Sequence, residues 1–291
     1  MPSQEFARFQ ERLLKAFESM DGTRGSYDAA MAALLPASQV VRFTRSLLNG
    51  IPAEMAVSGD GGNKLIYYIH GGGFSMGSAF SSRRFTGALA EKTGQTVWAP
   101  DYRLAPEHPY PAAVLDCLDA YCGLLQIAPA SDIALIGDSA GGNLCLATML
   151  LARDMGLPLP ASITAISPVA DFRAVSGSYQ ENSGEDRLIS REGVLAMAEQ
   201  YLGQLPRECA YASPALGSYK GFPPMLVLVG GSEVLQGDAE AVAKKARQCG
   251  VPVDLQVWPD MMHVFPVFAG EFPEADQGLD AIVRFMQSVW E

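Results

Sequence analysis

The stretch from Ile133 to Leu150 constrains this chain more than any other. Ile133 to Ile136 is a short apolar run that reads as a buried strand. Gly137-Asp138-Ser139-Ala140-Gly141 follows with the spacing G-x-S-x-G, and Gly142 adds a third glycine. Asn143 to Arg153 then reads as a buried helix of Leu, Ala and Met. A sharp strand-to-helix turn strains its central residue, so that residue's neighbours must be small. The Ser139 hydroxyl then stands clear of the backbone. The amide of Ala140 points where an oxyanion would form, and the helix N-terminus adds positive potential there.

The rest of the chain alternates strand and helix around this unit. Val40 to Thr44 and Ile51 to Val57 read as strands on either side of Leu48-Asn49-Gly50. Leu65 to Ile69 is a strand that runs into His70-Gly71-Gly72-Gly73-Phe74, and Val97 to Pro100 is the next strand. Ile163 to Ile166, Met225 to Val229 and Val253 to Val257 complete the set. Helices are expected at Ser81–Thr93, Ala112–Ile127, Gly237–Cys249 and Gln277–Trp290. This alternation predicts an α/β fold, a mostly parallel sheet with helices on both faces. Functional residues then gather at the carboxyl ends of the strands.

Two segments break the pattern. In residues 1–36, Phe6, Phe9, Leu13 and Phe17 recur at helical spacing. This stripe either packs on the body or covers an apolar cleft as part of a lid. A second short helix, Tyr27 to Leu35, ends at Pro36. Residues 171–214 read as an insertion that packs with the N-terminal helices and carries a helix from Arg191 to Leu202. The α/β body is then residues 37–170 and 215–291.

Composition narrows the function. At 291 residues with a net charge of −11 and no Lys/Arg run, nucleic acid and an anionic membrane surface are unexpected partners. No apolar run reaches transmembrane length, and Met1 to Phe6 shows no signal-peptide pattern. The five cysteines are scattered without C-x-x-C, as reduced thiols in a cytoplasmic protein would be. No metal or organic cofactor is implied, and G-x-G-x-x-G is absent.

A serine hydroxyl needs a base, and the base needs an orienting carboxylate. The chain has three histidines, His70, His108 and His263. Only His263 lies after the last strand, as the order Ser…Asp/Glu…His requires. Glu233 follows the Met225 strand and is the preferred acid. Asp238 is the alternative, although it reads as the N-cap of the next helix. Asp260 stands only three residues before His263, an awkward distance from which to orient that ring. With Ala140, Gly72 and Gly73 are the expected oxyanion donors, because glycine lets amides approach a ligand closely.

Four segments together resemble the hormone-sensitive lipase family, especially its bacterial esterases. They are His70 to Phe74, Tyr102 to Ala113, Gly137 to Gly142, and His263-Val264-Phe265. The resemblance runs from about Ile51 to the C-terminus. It implies an α/β-hydrolase with Ser139 as nucleophile and His263 as base. It also implies a cap built from the N-terminal helices and the 171–214 insertion. The family usually has Asp where this chain has Glu233. Glu107 and Asp138 fall on family positions that brace the site, and with His70 they are read as supporting it. The expected activity is hydrolysis of small-molecule short-chain acyl esters. Amides, lactones or carbamates are the alternative substrates, and a non-catalytic binder on the same fold is a further one. The resemblance also allows a homodimer through Val253–Val257, if that strand is the sheet edge.

Overall fold

The computed structural model describes residues 2–291. Eight strands form one sheet: β1 (Val41–Leu48), β2 (Ile51–Ser58), β3 (Leu65–Ile69), β4 (Thr96–Pro100), β5 (Ile133–Asp138), β6 (Ser162–Ile166), β7 (Met225–Gly230) and β8 (Val253–Trp258). Their order is β1-β2-β4-β3-β5-β6-β7-β8. β1 and β2 are antiparallel to their neighbours, and every pairing from β4 to β8 is parallel. β1 runs four residues beyond the expected Thr44 because it pairs with β2 along its full length. Asn49 and Gly50, at φ 48° and 87°, close that hairpin.

The nine α-helices among the described residues are α1 (Gln4–Glu18), α2 (Arg24–Leu34), α3 (Arg83–Thr93), α4 (Ala112–Leu125), α5 (Ala140–Asp154), α6 (Ser178–Glu181), α7 (Arg191–Leu202), α8 (Gln236–Gln248) and α9 (Pro273–Trp290). Successive strand side chains point to opposite faces, so the sheet separates two cores. Tyr67, Leu135 and Val227 pack with α4, α5 and α8 on one face. Ile66, Tyr68, Ile136 and Leu228 pack with α1, α3 and α9 on the other. Among the described residues no helix is long and apolar enough to cross a membrane.

α5 starts at Ala140, not at the expected Asn143, and β5 runs on to Asp138. Ser139 alone therefore makes the turn. Gly141 and Gly142 have poor helix propensity, but packing overrides it. A Cβ on Gly141 would sit 2.0 Å from the Ile69 carbonyl oxygen, so only glycine lets α5 press against the end of β3. α9 also begins earlier than expected, with Pro273 in its first turn, where a missing N–H costs nothing.

The aromatic stripe of α1 divides between its two readings. Phe6 and Phe9 pack on Phe272 and Phe268, with ring centroids 5.2 and 4.8 Å apart. Leu13 is buried with them. Phe17, one turn further on, lines the cavity described below. In the 171–214 segment, the Tyr201 ring of α7 stacks on Phe74 at 4.0 Å. Arg187 reaches Gln10 of α1 at 3.4 Å, so the two irregular segments meet.

Candidate active site

The centre of the site is the turn between β5 and α5. Ser139 has φ 54° and ψ −119°, a strained conformation for a non-glycine residue. Its amide donates to the Ile166 carbonyl at 2.8 Å, which pins the turn to β6. The side chain makes no capping bond to α5. Instead Oγ lies 2.9 Å from His263 Nε2.

His263 lies in the loop after β8. Its Nδ1 donates to Glu233 Oε2 at 2.8 Å, which leaves Nε2 as the acceptor facing the serine hydroxyl. Burial would push His263 down, but the charge and hydrogen bond of Glu233 outweigh it and hold the imidazole above its ordinary value of 6.5. Glu233 is fully buried at the end of β7. Its other oxygen accepts from the Gly230 amide and the Ser167 hydroxyl, both at 2.6 Å. Ser167 Oγ in turn accepts from the Val264 amide at 3.1 Å, so one hydroxyl bridges the acid and the histidine loop.

Asp238 is not the N-cap the sequence suggested. It lies inside α8, in the first turn, and its Oδ2 accepts from the amides of Ala170 and Asp171, both at 2.9 Å. Burial pushes its carboxyl up to about 7 against those two hydrogen bonds. The structure brings Glu233, not Asp238, to His263.

The turn after β3 supplies the remaining groups. Gly72, at φ 111°, folds so tightly that a Cβ there would fall 2.2 Å from the Met76 carbonyl oxygen. The Ser75 and Met76 amides both close onto the Gly72 carbonyl. Among the described residues, the amides of Gly72 and Gly73 donate to no protein acceptor, and both residues line the cavity in front of Ser139. Ala140 is the first helical residue, where the amide is likewise left over.

Asp138 and His70 support this turn. Asp138 Oδ1 accepts from the Gly71 amide at 3.0 Å and from Tyr68 Oη at 2.5 Å. Burial raises the Asp138 carboxyl, with the Tyr68 hydrogen bond working against it. His70 stacks on Tyr102, its Nδ1 is 2.7 Å from the Gly71 carbonyl oxygen, and burial lowers its pKa. Glu107 is not part of this constellation. It is exposed and pairs with Arg24 of α2, which holds its carboxyl below the usual range. At this family-like position the side chain lines no part of the cavity and meets an N-terminal helix that the motif does not include. His108 is also exposed.

The cavity has a volume of about 340 Å³ and is mostly apolar. α1 and α2 contribute Phe17, Tyr27 and Met31, and the 171–214 segment contributes Leu188, Ile189 and Met197. That segment is also tied to the acid-bearing turn. Asn182 Nδ2 donates to the Glu233 carbonyl at 2.7 Å, and Asp186 accepts from the Val234 amide at 2.9 Å. Sequence reasoning missed Ser167, Asn182 and Asp186. Ser167 closes β6, but nothing local marks its pairing with Glu233, and the other two stand in a polar stretch with no signal. The constellation can take a proton from Ser139, hold the resulting positive charge beside a carboxylate, and offer amides to a developing oxyanion.

Comparison with known proteins agrees with this architecture. Residues 66–267 match the family model described as the alpha/beta hydrolase fold. An acetyl-hydrolase from Streptomyces hygroscopicus is 38% identical over 226 residues, covering 77% of this chain and 76% of the relative. An esterase from Acinetobacter venetianus is 34% identical over 261 residues, covering 89% and 86%. An ethyl acetate hydrolase from Pseudomonas putida is 35% identical over 233 residues, covering 76% and 72%. The crystal structure of an esterase from the bacterial hormone-sensitive lipase family superposes with a TM-score of 0.95 at 35% identity, covering both chains completely. The chain belongs to the α/β-hydrolase fold family, in its bacterial hormone-sensitive lipase branch.

Proposed function

We propose that this chain is a serine carboxylesterase acting on short-chain acyl esters through Ser139, His263 and Glu233. The observation that carries the reading is the unbroken line Ser139 Oγ–His263–Glu233, with links of 2.9 and 2.8 Å, at the floor of the apolar cavity. In this mechanism His263 takes the Ser139 proton as Oγ attacks the ester carbonyl. The Gly72, Gly73 and Ala140 amides bind the oxyanion. His263 then protonates the leaving alcohol, and a water activated by His263 clears the acyl-enzyme.

The preference for short chains rests on the cavity and on the relatives. Its volume of about 340 Å³ lies near the lower end of the ~300–1,000 Å³ usual for ligand sites. Relatives named acetyl-hydrolase and ethyl acetate hydrolase support a small acyl group. The test is hydrolysis of p-nitrophenyl esters across acyl lengths, wild type beside Ser139→Ala. Fast turnover that is highest on short chains, abolished in the variant, is expected. A folded wild type that cleaves none of them contradicts the reading.

We further propose that residues 1–36 and 171–214 cap the cavity, that the chain is cytoplasmic, and that its sheet edge allows a homodimer. Among the described residues β8 pairs only with β7, which leaves a free sheet edge for a second copy. Light scattering that gives a monomer at every concentration removes the dimer, and recovery of the protein outside the cytoplasm on fractionation removes the location.

A further inference from the structure

The N-terminal helix α2 does more than wall the cavity. Arg24 opens it, and the single Arg24 guanidinium joins three segments. Nε donates to the Ser75 carbonyl at 2.8 Å, Nη2 donates to the Ala105 carbonyl at 2.8 Å, and Nη2 also pairs with Glu107. Ser75 belongs to the tight turn whose amides close onto Gly72. Ala105 is bonded to the same turn, because its amide donates to the Phe74 carbonyl at 2.9 Å. One helical turn on from Arg24, Asp28 accepts from Ser78 Oγ at 2.8 Å, a second bond to the far side of that turn. Arg24, Asp28 and Met31 recur at spacings of four and three, so they share one face of α2.

We infer that Arg24 is a positioning residue for the oxyanion donors: it fixes the turn that carries the Gly72 and Gly73 amides, and so couples docking of α2 to assembly of the oxyanion hole. The inference rests on the esterase reading. Stability alone does not account for the arrangement. The Arg24–Glu107 pair is largely exposed, and such pairs add little to stability. Its geometric effect is larger in consequence. Gly72 and Gly73 both have positive φ, and their turn is held from outside by α2 through the Arg24–Ser75 and Asp28–Ser78 bonds, with Met197 and Tyr201 of α7 packed on Gly73 and Phe74. Oxyanion donors act only when held in place before the reaction, and a displacement of about 1 Å is enough to cost roughly 100-fold.

The test compares wild type with Arg24→Ala, Arg24→Lys and Glu107→Ala on p-nitrophenyl acetate, alongside inhibition by an aryl trifluoromethyl ketone. Ser139 Oγ adds to that ketone carbon, its proton passes to His263, and the resulting hemiketal oxyanion needs the same amides as the transition state. Arg24→Ala is expected to lower kcat by about 10- to 100-fold, less than the ~10²–10³ for deleting a donor outright. KM should stay within about threefold of wild type, because no binding wall is removed. Inhibitor affinity should weaken by the same factor as kcat/KM. The acid limb of the pH profile should not move, since His263 and Glu233 are untouched. Arg24→Lys should recover part of the loss, and Glu107→Ala should show the same pattern to a smaller degree. If Arg24→Ala does not fold, the other two variants carry the test. Wild-type kcat in the Arg24 variants, a loss confined to KM, or a lower kcat with unchanged inhibitor affinity would each overturn the inference. A wild type inactive on every ester removes the esterase reading and this inference with it. An active wild type with unaffected variants removes this inference alone.

Discussion

Glu233 and Asp238 stand five residues apart at the end of β7, and they look alike by every local measure. Both are acidic, both are buried, and each takes three hydrogen bonds. The difference is in the donors. Glu233 receives His263, whose other nitrogen faces Ser139, along with Ser167 and the Gly230 amide. Asp238 receives two backbone amides at the start of the 171–214 segment and the Tyr179 hydroxyl at 3.3 Å. One carboxylate faces a titratable group that meets the nucleophile, and the other holds a backbone corner. A buried acid's role is set by what donates to it, and neither its depth nor its position along the chain decides.

The comparison is open to direct attack. Its largest expected consequence is for Glu233→Gln, which removes the charge opposite His263 and favours the wrong tautomer. By analogy with the Asp-to-Asn change in a Ser-His-Asp protease, kcat should fall about 10⁴-fold. Glu233→Asp, which restores the charge on a shorter arm, should recover part of that loss. Equal activity in Glu233→Gln and wild type would erase the distinction between the two acids.

Ser167→Ala comes next. It removes one of two bonds to Glu233 Oε1 and the acceptor for the Val264 amide. A kcat loss of roughly 10-fold is expected, as for a displaced rather than deleted group. An unchanged kcat would show that the bridge is structural only.

The pH profile sharpens the same contrast. His263 must be neutral to act as base, so activity rises with pH through its pKa. Because Glu233 holds it above 6.5, the acid limb of kcat/KM should lie above that value in the wild type. Residual activity in Glu233→Gln should show the limb displaced downward, since burial is then opposed only by the charges of Asp186 and Asp138. A limb that stays in place would separate His263 from Glu233 electrostatically.

Asp238→Asn carries the smallest effect on turnover, within about threefold in kcat, since it keeps an acceptor oxygen and does not touch His263. Its effect falls on stability. The Asp238 carboxyl sits at about 7 in the fold against 3.8 in a free chain. The unfolded chain therefore loses this proton first, and wild-type stability falls as pH rises between those values. Each unit of difference is worth about 1.4 kcal/mol. The melting temperature of Asp238→Asn should gain on wild type from pH 4 to pH 8, and parallel curves would refute the assignment.

Much of this was readable before any coordinates. Strand-helix alternation predicted the sheet, because β3, β5, β6 and β7 are covered on both faces and read as plain apolar runs. Ser139 was legible because its turn needs small neighbours, and His263 because only three histidines exist and one falls last. Glu233 could only be ranked above Asp238, since the choice depends on which carboxylate reaches across to another loop. Ser167 and Arg24 were illegible for the same reason. Their partners lie 66 and 51 residues away, and no local pattern marks such a pair. The resemblance did not show how Glu107 connects to the site, because its partner, Arg24, comes from the N-terminal helices outside the family segment.

Turnover requires one nucleophile driven by one acid, and mass spectrometry of protein treated with a p-nitrophenyl phosphonate reads both. Wild type and Asp238→Asn should take up a single equivalent, mapped to the peptide holding Ser139, at similar rates, while Glu233→Gln should label at least about a hundredfold more slowly. Label on another residue, no label at all, or equal rates in Glu233→Gln and wild type would contradict it.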